Sequence, residues 1–179
     1  MRRGGYMGSD GADAGQGVSA HLPTGRFSGR EAFAQCVRDA LTCAAREGWR
    51  EIILSDATFA DWPLHERAVV ESLQAWARTG RRLLMLATRF DAVQRDQPRF
   101  VSWRQTWDHI IECRQCRNAD PIDFPSALWS PAWVMQRHDA VRSVFVCDTD
   151  AARRLALRQT LEEARRNGTP AFPASTLGL

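Results

Sequence analysis

The chain has 179 residues, a formal net charge of +3, and 44% apolar and 25% charged residues, which is the composition of one soluble globular domain. All 24 basic residues are arginine, so chemistry that needs a lysine amine, such as a Schiff base or a phosphate-loop lysine, is excluded. No apolar run approaches the roughly 20 residues of a membrane-spanning helix, and the first residues lack the apolar core of a secretory signal.

Composition divides the chain into three parts. Residues 1–25 are rich in Gly, Ser, Ala and Asp, so they cannot offset their ordering entropy and are predicted to form a disordered arm. Residues 26–168 are predicted to form a single α/β domain. Residues 169–179 contain Pro170 and Pro173 and are predicted to be a flexible tail.

The first half of this domain predicts a strand–helix–strand unit. A helix opens at Ser28, and Glu31 three residues later gives the spacing of a capping box. Apolar residues then recur at helical intervals until Gly48, a typical helix stop. Three elements follow: a buried strand at 51–54, a helix at 64–79 and a second buried strand at 83–87. This order favours parallel strands joined by a right-handed crossover.

The second half predicts a third strand, a hairpin and a closing helix. The elements are a short helix at 100–108, a strand at 109–113, a hairpin of 127–136 with 141–147, and a final helix that begins at Asp148 or Thr149. Leu157 and Leu161 lie on the apolar face of that helix. The order α-β-α-β-α-β-β-α predicts a three-layer α/β domain.

From Arg50 to Asn167 this order resembles one half of the phospholipase-D-like superfamily, in which two crossover units precede a β-hairpin and a closing helix. The stretch from Ile52 to Leu86 is especially similar. It contains a strand ending in Ser55-Asp56, a loop with Phe59, Asp61 and Trp62, a helix ending in Arg78-Thr-Gly80, and a strand starting Arg82-Leu-Leu. The resemblance implies a three-layer half-domain of order βαβαββα, here with an additional N-terminal helix.

The family's reactive motif, His-x-Lys-x4-Asp on the hairpin, is missing. Its His attacks phosphorus and its Lys binds phosphate oxygens. In one alignment the three positions hold Ser130, Ala132 and Arg137, and a slip of two residues gives Ala132, Val134 and Asp139. Neither register supplies a His or a Lys. The resemblance therefore implies a degenerate, non-catalytic member that acts as a binding or assembly module.

Polar side chains follow the predicted strands and suggest an alternative function. Asp56 and His65 come after the first strand, Arg89 after the second and Arg114 near the end of the third. Ligands of open α/β sheets gather at the carboxyl ends of strands, and Arg is well shaped to bind phosphate. These residues are candidates for an anionic-ligand sensor or enzyme. Helix capping by Asp61 and ordinary surface ion pairs explain the same residues without a ligand.

The cysteines indicate neither a cofactor nor a metal. Five cysteines, an odd number without a secretion signal, predict free thiols in a reducing compartment and a cytoplasmic location. His109, Cys113 and Cys116 have a ligand-like spacing, but a closed zinc site needs four ligands. We therefore predict no metal and no cofactor.

Two tryptophans are the candidates for a partner surface. Trp129 and Trp133 fall four residues apart on a predicted strand that Pro131 restricts to an edge, and Trp is enriched at interfaces. They predict a homodimer or a protein partner, although they equally suit a role in covering the core. Nucleic acid is not expected as a partner, because the net charge is small and acidic residues dilute the arginines of the final helix. No membrane partner is expected either.

Overall fold

The computed structural model describes residues 21–79 and 81–174. The predicted disordered arm lies outside these residues up to position 20, as do positions 175–179 of the predicted tail and Gly80 in the loop before the second predicted strand. Within the described part, no helix is long and apolar enough to cross a bilayer.

Helices and strands alternate through the first two thirds of the chain. The helices are α1 (Arg30–Glu47), α2 (Arg67–Ala77), α3 (Asp91–Asp96), α4 (Pro98–Thr106) and α5 (Ala151–Asn167). The strands are β1 (Gly25–Phe27), β2 (Glu51–Ser55), β3 (Arg82–Ala87), β4 (Ile111–Gln115), β5 (Ser126–Trp129), β6 (Val134–Asp139), β7 (Val144–Asp148) and β8 (Thr169–Pro170). Short 3₁₀ helices cover Pro63–His65 and Asp108–Ile110.

The strands form one sheet in the order β1-β7-β6-β5-β2-β3-β4-β8. β2, β3 and β4 are parallel, and the other neighbours pair antiparallel. Ile52 and Leu54 pack with α1, α2 and α4, whereas Ile53 packs with α5 on the other side of the sheet. This alternation is the strand period of two, and it produces the predicted three-layer α/β domain.

The start of α1 differs from the predicted capping box. The helix begins at Arg30 after Gly29, and no side chain caps its first turn. Gly29 has φ 108°, a conformation that favours glycine, and its N–H donates to the carbonyls of Arg142 and Ser143. The predicted stop is confirmed, because Gly48 is left-handed and its N–H donates to Ala44.

The segment predicted as one strand from 127 to 136 is two strands, β5 and β6, joined by a tight turn. Trp129 pairs with Val134 across that turn. The Ser130 hydroxyl donates to the carbonyl of Trp133 at 2.7 Å and accepts its N–H at 2.9 Å. Pro131 lies inside the turn, where its missing N–H costs no ladder hydrogen bond.

Candidate functional site

A buried ion-pair network lies at the C-terminal end of β2. Arg137, on β6, donates from Nη2 to Asp56 Oδ2 at 2.7 Å and from Nη1 to Asp61 Oδ2 at 2.5 Å. Its Nε donates to Ser126 Oγ at 3.0 Å, and its guanidinium carbon lies 4.2 Å from the centre of the Phe33 ring. The Arg137 side chain is only 2% exposed. Its charge is therefore balanced by the protein's own groups.

Asp56 is fully engaged within this network. Its Oδ1 accepts the backbone N–H groups of Thr58 and Phe59 at 3.0 and 2.8 Å, and its Oδ2 accepts the Ser126 hydroxyl at 2.7 Å. Burial alone would raise the pKa of Asp56. The hydrogen bonds from Ser126 and Thr58 and the charge of Arg137 outweigh burial, so the pKa is lower than its ordinary value. Asp56 consequently remains ionised at neutral pH.

The positions to which the resemblance assigns the reactive motif hold structural side chains. Arg137, in the place of the motif's Asp in one register, belongs to the buried network, and Ser130 closes the β5–β6 turn. In the other register, Val134 is buried and Asp139 ends β6. Ala132, which both registers share, is exposed in the turn. Neither set provides the imidazole or the amine of the motif.

The four residues predicted to bind a ligand do not contact one another through their side chains, although the N–H of Arg89 donates to the carbonyl of Ala57, the residue after Asp56, at 3.3 Å. Asp56 is enclosed by its own partners, and His65 is exposed in the first 3₁₀ helix. Arg89 is exposed beyond the end of β3, and Arg114 is paired with Glu112 at 2.8 Å. Among residues 21–79 and 81–174, no hydrogen bond or ion pair joins any two of the four. The structure therefore does not favour the strand-end sensor.

The two tryptophans predicted at an interface are core residues. Trp129 is 6% exposed and Trp133 is 2% exposed. Trp129 packs beneath α5, with its ring 4.5 Å from the Arg158 guanidinium. Trp133 lies on the opposite face of the sheet, and its indole N–H donates to the carbonyl of Pro23 at 2.9 Å. The turn between β5 and β6 separates them, so they share no face and offer no exposed patch.

Histidine and cysteine do not assemble into a metal site. His109 is exposed in the second 3₁₀ helix, because β4 begins only at Ile111 and not at the predicted residue 109. Cys113 is buried in the core, and the Cys116 thiol donates to the carbonyl of Ala164 at 3.2 Å. In the described part of the chain, no group of three or more His, Cys, Asp or Glu residues is arranged to hold a metal ion.

A closed ring of ion pairs fastens α5 to the sheet. Each of its three glutamates binds two of its three arginines at N–O distances of 2.7 to 3.8 Å: Glu51 with Arg82 and Arg158, Glu112 with Arg82 and Arg165, and Glu162 with Arg158 and Arg165. Burial alone would raise the pKa of Glu112, but hydrogen bonds from Arg114 and the two ring arginines lower this pKa to about 2. The ring therefore neutralises the charges of Arg158 and Arg165, the two arginines of α5 that belong to it.

Other arginines are left without such partners. Four of them lie at the edge of the sheet where β2 and β3 begin: Arg50, Arg78, Arg81 and Arg154. Within the described residues, none of the four forms an ion pair with a carboxylate. We call these four the arginine edge.

Hydrogen bonds place the arginine edge on two neighbouring loops and on the first turn of α5. Arg50 immediately precedes β2, and its carbonyl accepts the N–H of Arg82, the first residue of β3, at 3.2 Å. Arg154, in the first turn of α5, donates to the carbonyl of Pro131 at 2.6 Å. Because β5 runs antiparallel to β2, the turn after β5 lies at this same edge. The buried Arg137 network lies at the opposite edge.

Sequence reasoning missed both features. Arg137 follows Met135 by two residues on β6, so strand alternation places its side chain on the same core face. A charged residue on a core face requires a buried partner, and this is the signal that could have found the network. The arginine edge leaves no local motif, because its members come from two separate loops and the first turn of α5.

The sequence comparisons found no match, whereas the structure comparison did. No protein-family model matches the chain, and no curated protein sequence matches it significantly. TrmBL2, described as an archaeal chromatin protein with a novel mode of DNA binding, superposes with a TM-score of 0.63 at 13% identity. The match covers 86% of this chain, which spans only 57% of the TrmBL2 chain.

Two further similar structures come from bacteria. NucT from Helicobacter pylori matches with a TM-score of 0.58 at 6% identity, over 83% of this chain and 99% of its own. Nuc from Salmonella typhimurium, described as a phospholipase D family member, matches with a TM-score of 0.51 at 10% identity, over 75% of this chain and 90% of its own. The chain therefore has a phospholipase-D-like fold, which confirms the resemblance inferred from the order of its elements.

These comparisons also correct the prediction about partners. That prediction set nucleic acid aside in favour of a second copy or another protein. It is contradicted by the similarity to TrmBL2, a structure described for its DNA binding. The net charge of +3 does not describe how charge is distributed, because it averages a neutralised ring with a locally basic edge.

Proposed function

We propose that this chain is a non-catalytic phospholipase-D-like module that binds nucleic acid along the arginine edge. One contrast between two ends of the same strands carries the proposal. At the C-terminal end of β2, the buried Arg137 guanidinium is already bound by Asp56, Asp61 and Ser126. The other end gathers four arginines that form no ion pair with a carboxylate among the described residues, whereas the exposed arginines used as a control at the first end are two, Arg89 and Arg117.

The absence of catalysis follows from chemistry the chain lacks. Diester cleavage by the route that the resemblance implies needs an imidazole that attacks phosphorus and an amine that holds the phosphate oxygens. All 24 basic residues are arginine, so the amine is missing. Neither register of the motif contains histidine, and Arg137, the third position of one register, is already bound by Asp56 and Asp61.

The choice of nucleic acid rests on the chemistry of the arginine edge. Guanidinium groups form bidentate hydrogen bonds with phosphate oxygens, and a row of phosphates releases counterions when arginines neutralise it. The similarity to TrmBL2 supports the same class of ligand. The edge would contact the phosphate backbone, so binding is expected to depend little on sequence.

Binding to a fluorescent DNA duplex of mixed sequence tests this proposal. We expect the association constant measured by anisotropy to fall steeply as salt rises from about 50 to about 200 mM. Arg50 and Arg78 are both exposed, so the double change Arg50→Gln, Arg78→Gln should leave the fold intact. It should weaken binding and reduce the slope of log K against log salt by about 2, one for each lost phosphate contact.

The matched control changes two exposed arginines at the opposite edge, Arg89→Gln and Arg117→Gln. This variant has the same net charge as the first, so a general charge effect would weaken both equally. We expect the control to retain the slope of the unmodified chain. Equal losses in the two variants, or no binding of the unmodified chain at the lowest salt, would contradict the proposal.

A further inference from the structure

Two buried cysteines face each other where α1 packs against β7. Cys36 lies on α1 and Cys147 lies on β7, and their Sγ atoms are 3.5 Å apart. Cys36 is 4% exposed and Cys147 is 1% exposed. Both are free thiols. A disulfide bond is about 2.05 Å long, so the two sulfurs need to approach each other by only about 1.5 Å to become bonded.

Two further contacts hold α1 in register along β7. The N–H of Gly29, directly before α1, donates to the carbonyl of Ser143, directly before β7, at 3.2 Å. The Phe33 ring packs edge-on against the Phe145 ring, with centroids 5.7 Å apart. Phe145 and Cys147 are two positions apart on the strand, so their side chains lie on the same face. The two thiols are therefore held opposite each other by packed elements on a rigid part of the fold.

The other three cysteines have different neighbours. The Cys43 sulfur accepts a hydrogen bond from Arg46 at 3.4 Å, and the Cys116 thiol donates to the carbonyl of Ala164. Cys113 is buried on β4. All five cysteines belong to the described residues, and no second pair of their sulfurs lies within hydrogen-bonding distance. Of the ten pairs that five cysteines allow, the geometry therefore selects one.

We propose that Cys36 and Cys147 are a modification site at which a peroxide forms a disulfide bond, and that this bond fastens α1 to β7. The site lies in the core, apart from the arginine edge, and does not rest on nucleic-acid binding. The bond would join positions that are 111 residues apart in the chain, and a cross-link that closes so long a loop restricts the unfolded state strongly.

The reaction with hydrogen peroxide has two steps. The Cys36 thiolate attacks one oxygen of the peroxide, the O–O bond breaks, and a sulfenic acid and hydroxide form. The Cys147 thiolate then attacks the sulfenic sulfur, the S–S bond forms, the S–O bond breaks and a second hydroxide leaves. The two hydroxides take up the two thiol protons. In total, two thiols lose two electrons, and one peroxide is reduced to two waters.

The order of the two thiols follows from their surroundings. The hydrogen bond with Cys36 and burial both raise the pKa of Cys147, and Cys36 is the more exposed of the pair. Cys36 therefore attacks the peroxide, and Cys147 resolves the sulfenic acid. A small oxidant is required, because the thiols are reached only through local opening of the fold.

Peptide mass analysis of the full chain tests the pairing. Cleavage after arginine places the five cysteines in five different peptides, with Cys36 in residues 31–38 and Cys147 in residues 143–153. The folded, reduced chain is treated with hydrogen peroxide, and its remaining thiols are alkylated in denaturant before digestion. We expect one dominant linked species that joins these two peptides and has lost two hydrogens. Linkages distributed over several pairs, or no linkage, would overturn the proposal.

Thermal unfolding tests whether the bond fastens the fold. We expect the oxidised chain to unfold at a midpoint roughly 5–15 °C higher than the reduced chain, and dithiothreitol to reverse the rise. Cys36→Ala should abolish the peroxide-dependent rise. Cys43→Ala is the matched control, because Cys43 lies on the same helix and is also 4% exposed, and it should retain the rise.

The two measurements fail in different ways. The mass analysis uses the unmodified chain, so it decides the pairing even where Cys36→Ala does not fold. A linked chain whose midpoint is unchanged or lowered would overturn the claim that the bond fastens α1 to β7. A rise in the midpoint that persists in Cys36→Ala, or that disappears in Cys43→Ala, would contradict the assignment to this pair.

Discussion

Replacing Arg137 with methionine is expected to lower the free energy of unfolding by about 3–5 kcal/mol, the usual cost of removing one partner of a buried ion pair. The change leaves Asp56 buried and without its counter-charge, and it removes a hydrogen-bond donor from Asp61 and from Ser126. Chemical denaturation at neutral pH measures the loss. Arg142→Met serves as the control, because Arg142 is exposed in the neighbouring hairpin, and its cost should stay within about 0.5 kcal/mol.

The same variant has a predicted pH signature. The folded-state pKa of Asp56 is lowered, so this carboxylate stabilises the unmodified chain above its ordinary pKa and loses that contribution as the pH falls through the lowered value. In Arg137→Met the buried carboxyl prefers to be protonated. Acidification therefore raises the free energy of unfolding of the variant relative to that of the unmodified chain, which begins to lose the contribution of ionised Asp56. The difference in free energy of unfolding between the two chains should shrink as the pH falls from neutral. A difference that is small at neutral pH, or that grows on acidification, would show that the network does not stabilise the fold.

Replacing Trp133 with alanine is expected to cost about 3–5 kcal/mol, the range for deleting a large buried aromatic side chain. Trp133 is 2% exposed, and its indole N–H bonds the carbonyl of Pro23, so the change both empties a core position and frees a backbone acceptor. Denaturant titration measures the loss.

Trp133→Phe is the matched control, because it keeps an aromatic ring in the core and removes only the indole hydrogen bond. We expect this variant to lose roughly 1–2 kcal/mol, from the hydrogen bond and a smaller buried surface. An interface residue would behave differently, since its removal would leave the free energy of unfolding of the single chain almost unchanged. A loss below about 0.5 kcal/mol for Trp133→Ala would therefore contradict the burial described here.

The central part of the fold was predictable because its elements are long and locally patterned. The apolar runs at 51–54 and 83–87 became β2 and β3, and their crossover gave the parallel pair. The helical spacing of apolar residues likewise identified most of α1 and α5. These elements carry their own signal, because a buried parallel strand is continuously apolar and a surface helix has an apolar stripe.

The edges of the fold could not be predicted from the same signals. β1 has three residues and β8 has two, which is too short to show alternation. The division of the hairpin segment into β5 and β6 depends on Ser130, whose hydroxyl bonds only within its own turn. A single serine beside a proline does not reveal this from the sequence.

The Arg137 network depends on contacts between residues that are distant in the chain. Arg137 meets Asp56 and Asp61, which lie 81 and 76 positions earlier in the sequence. The sequence correctly drew attention to Asp56 at a strand end, but it assigned the carboxylate to a ligand. The structure assigns it to an internal partner instead.

The most direct test of a module that binds nucleic acid without cleaving it follows both properties in one sample. An end-labelled DNA duplex is incubated with the purified chain at low salt, its anisotropy is recorded, and the same sample is then separated on a denaturing gel. We predict that the duplex is bound and that its strands remain intact over hours. Shortened strands, or a duplex that stays unbound at low salt, would contradict the account.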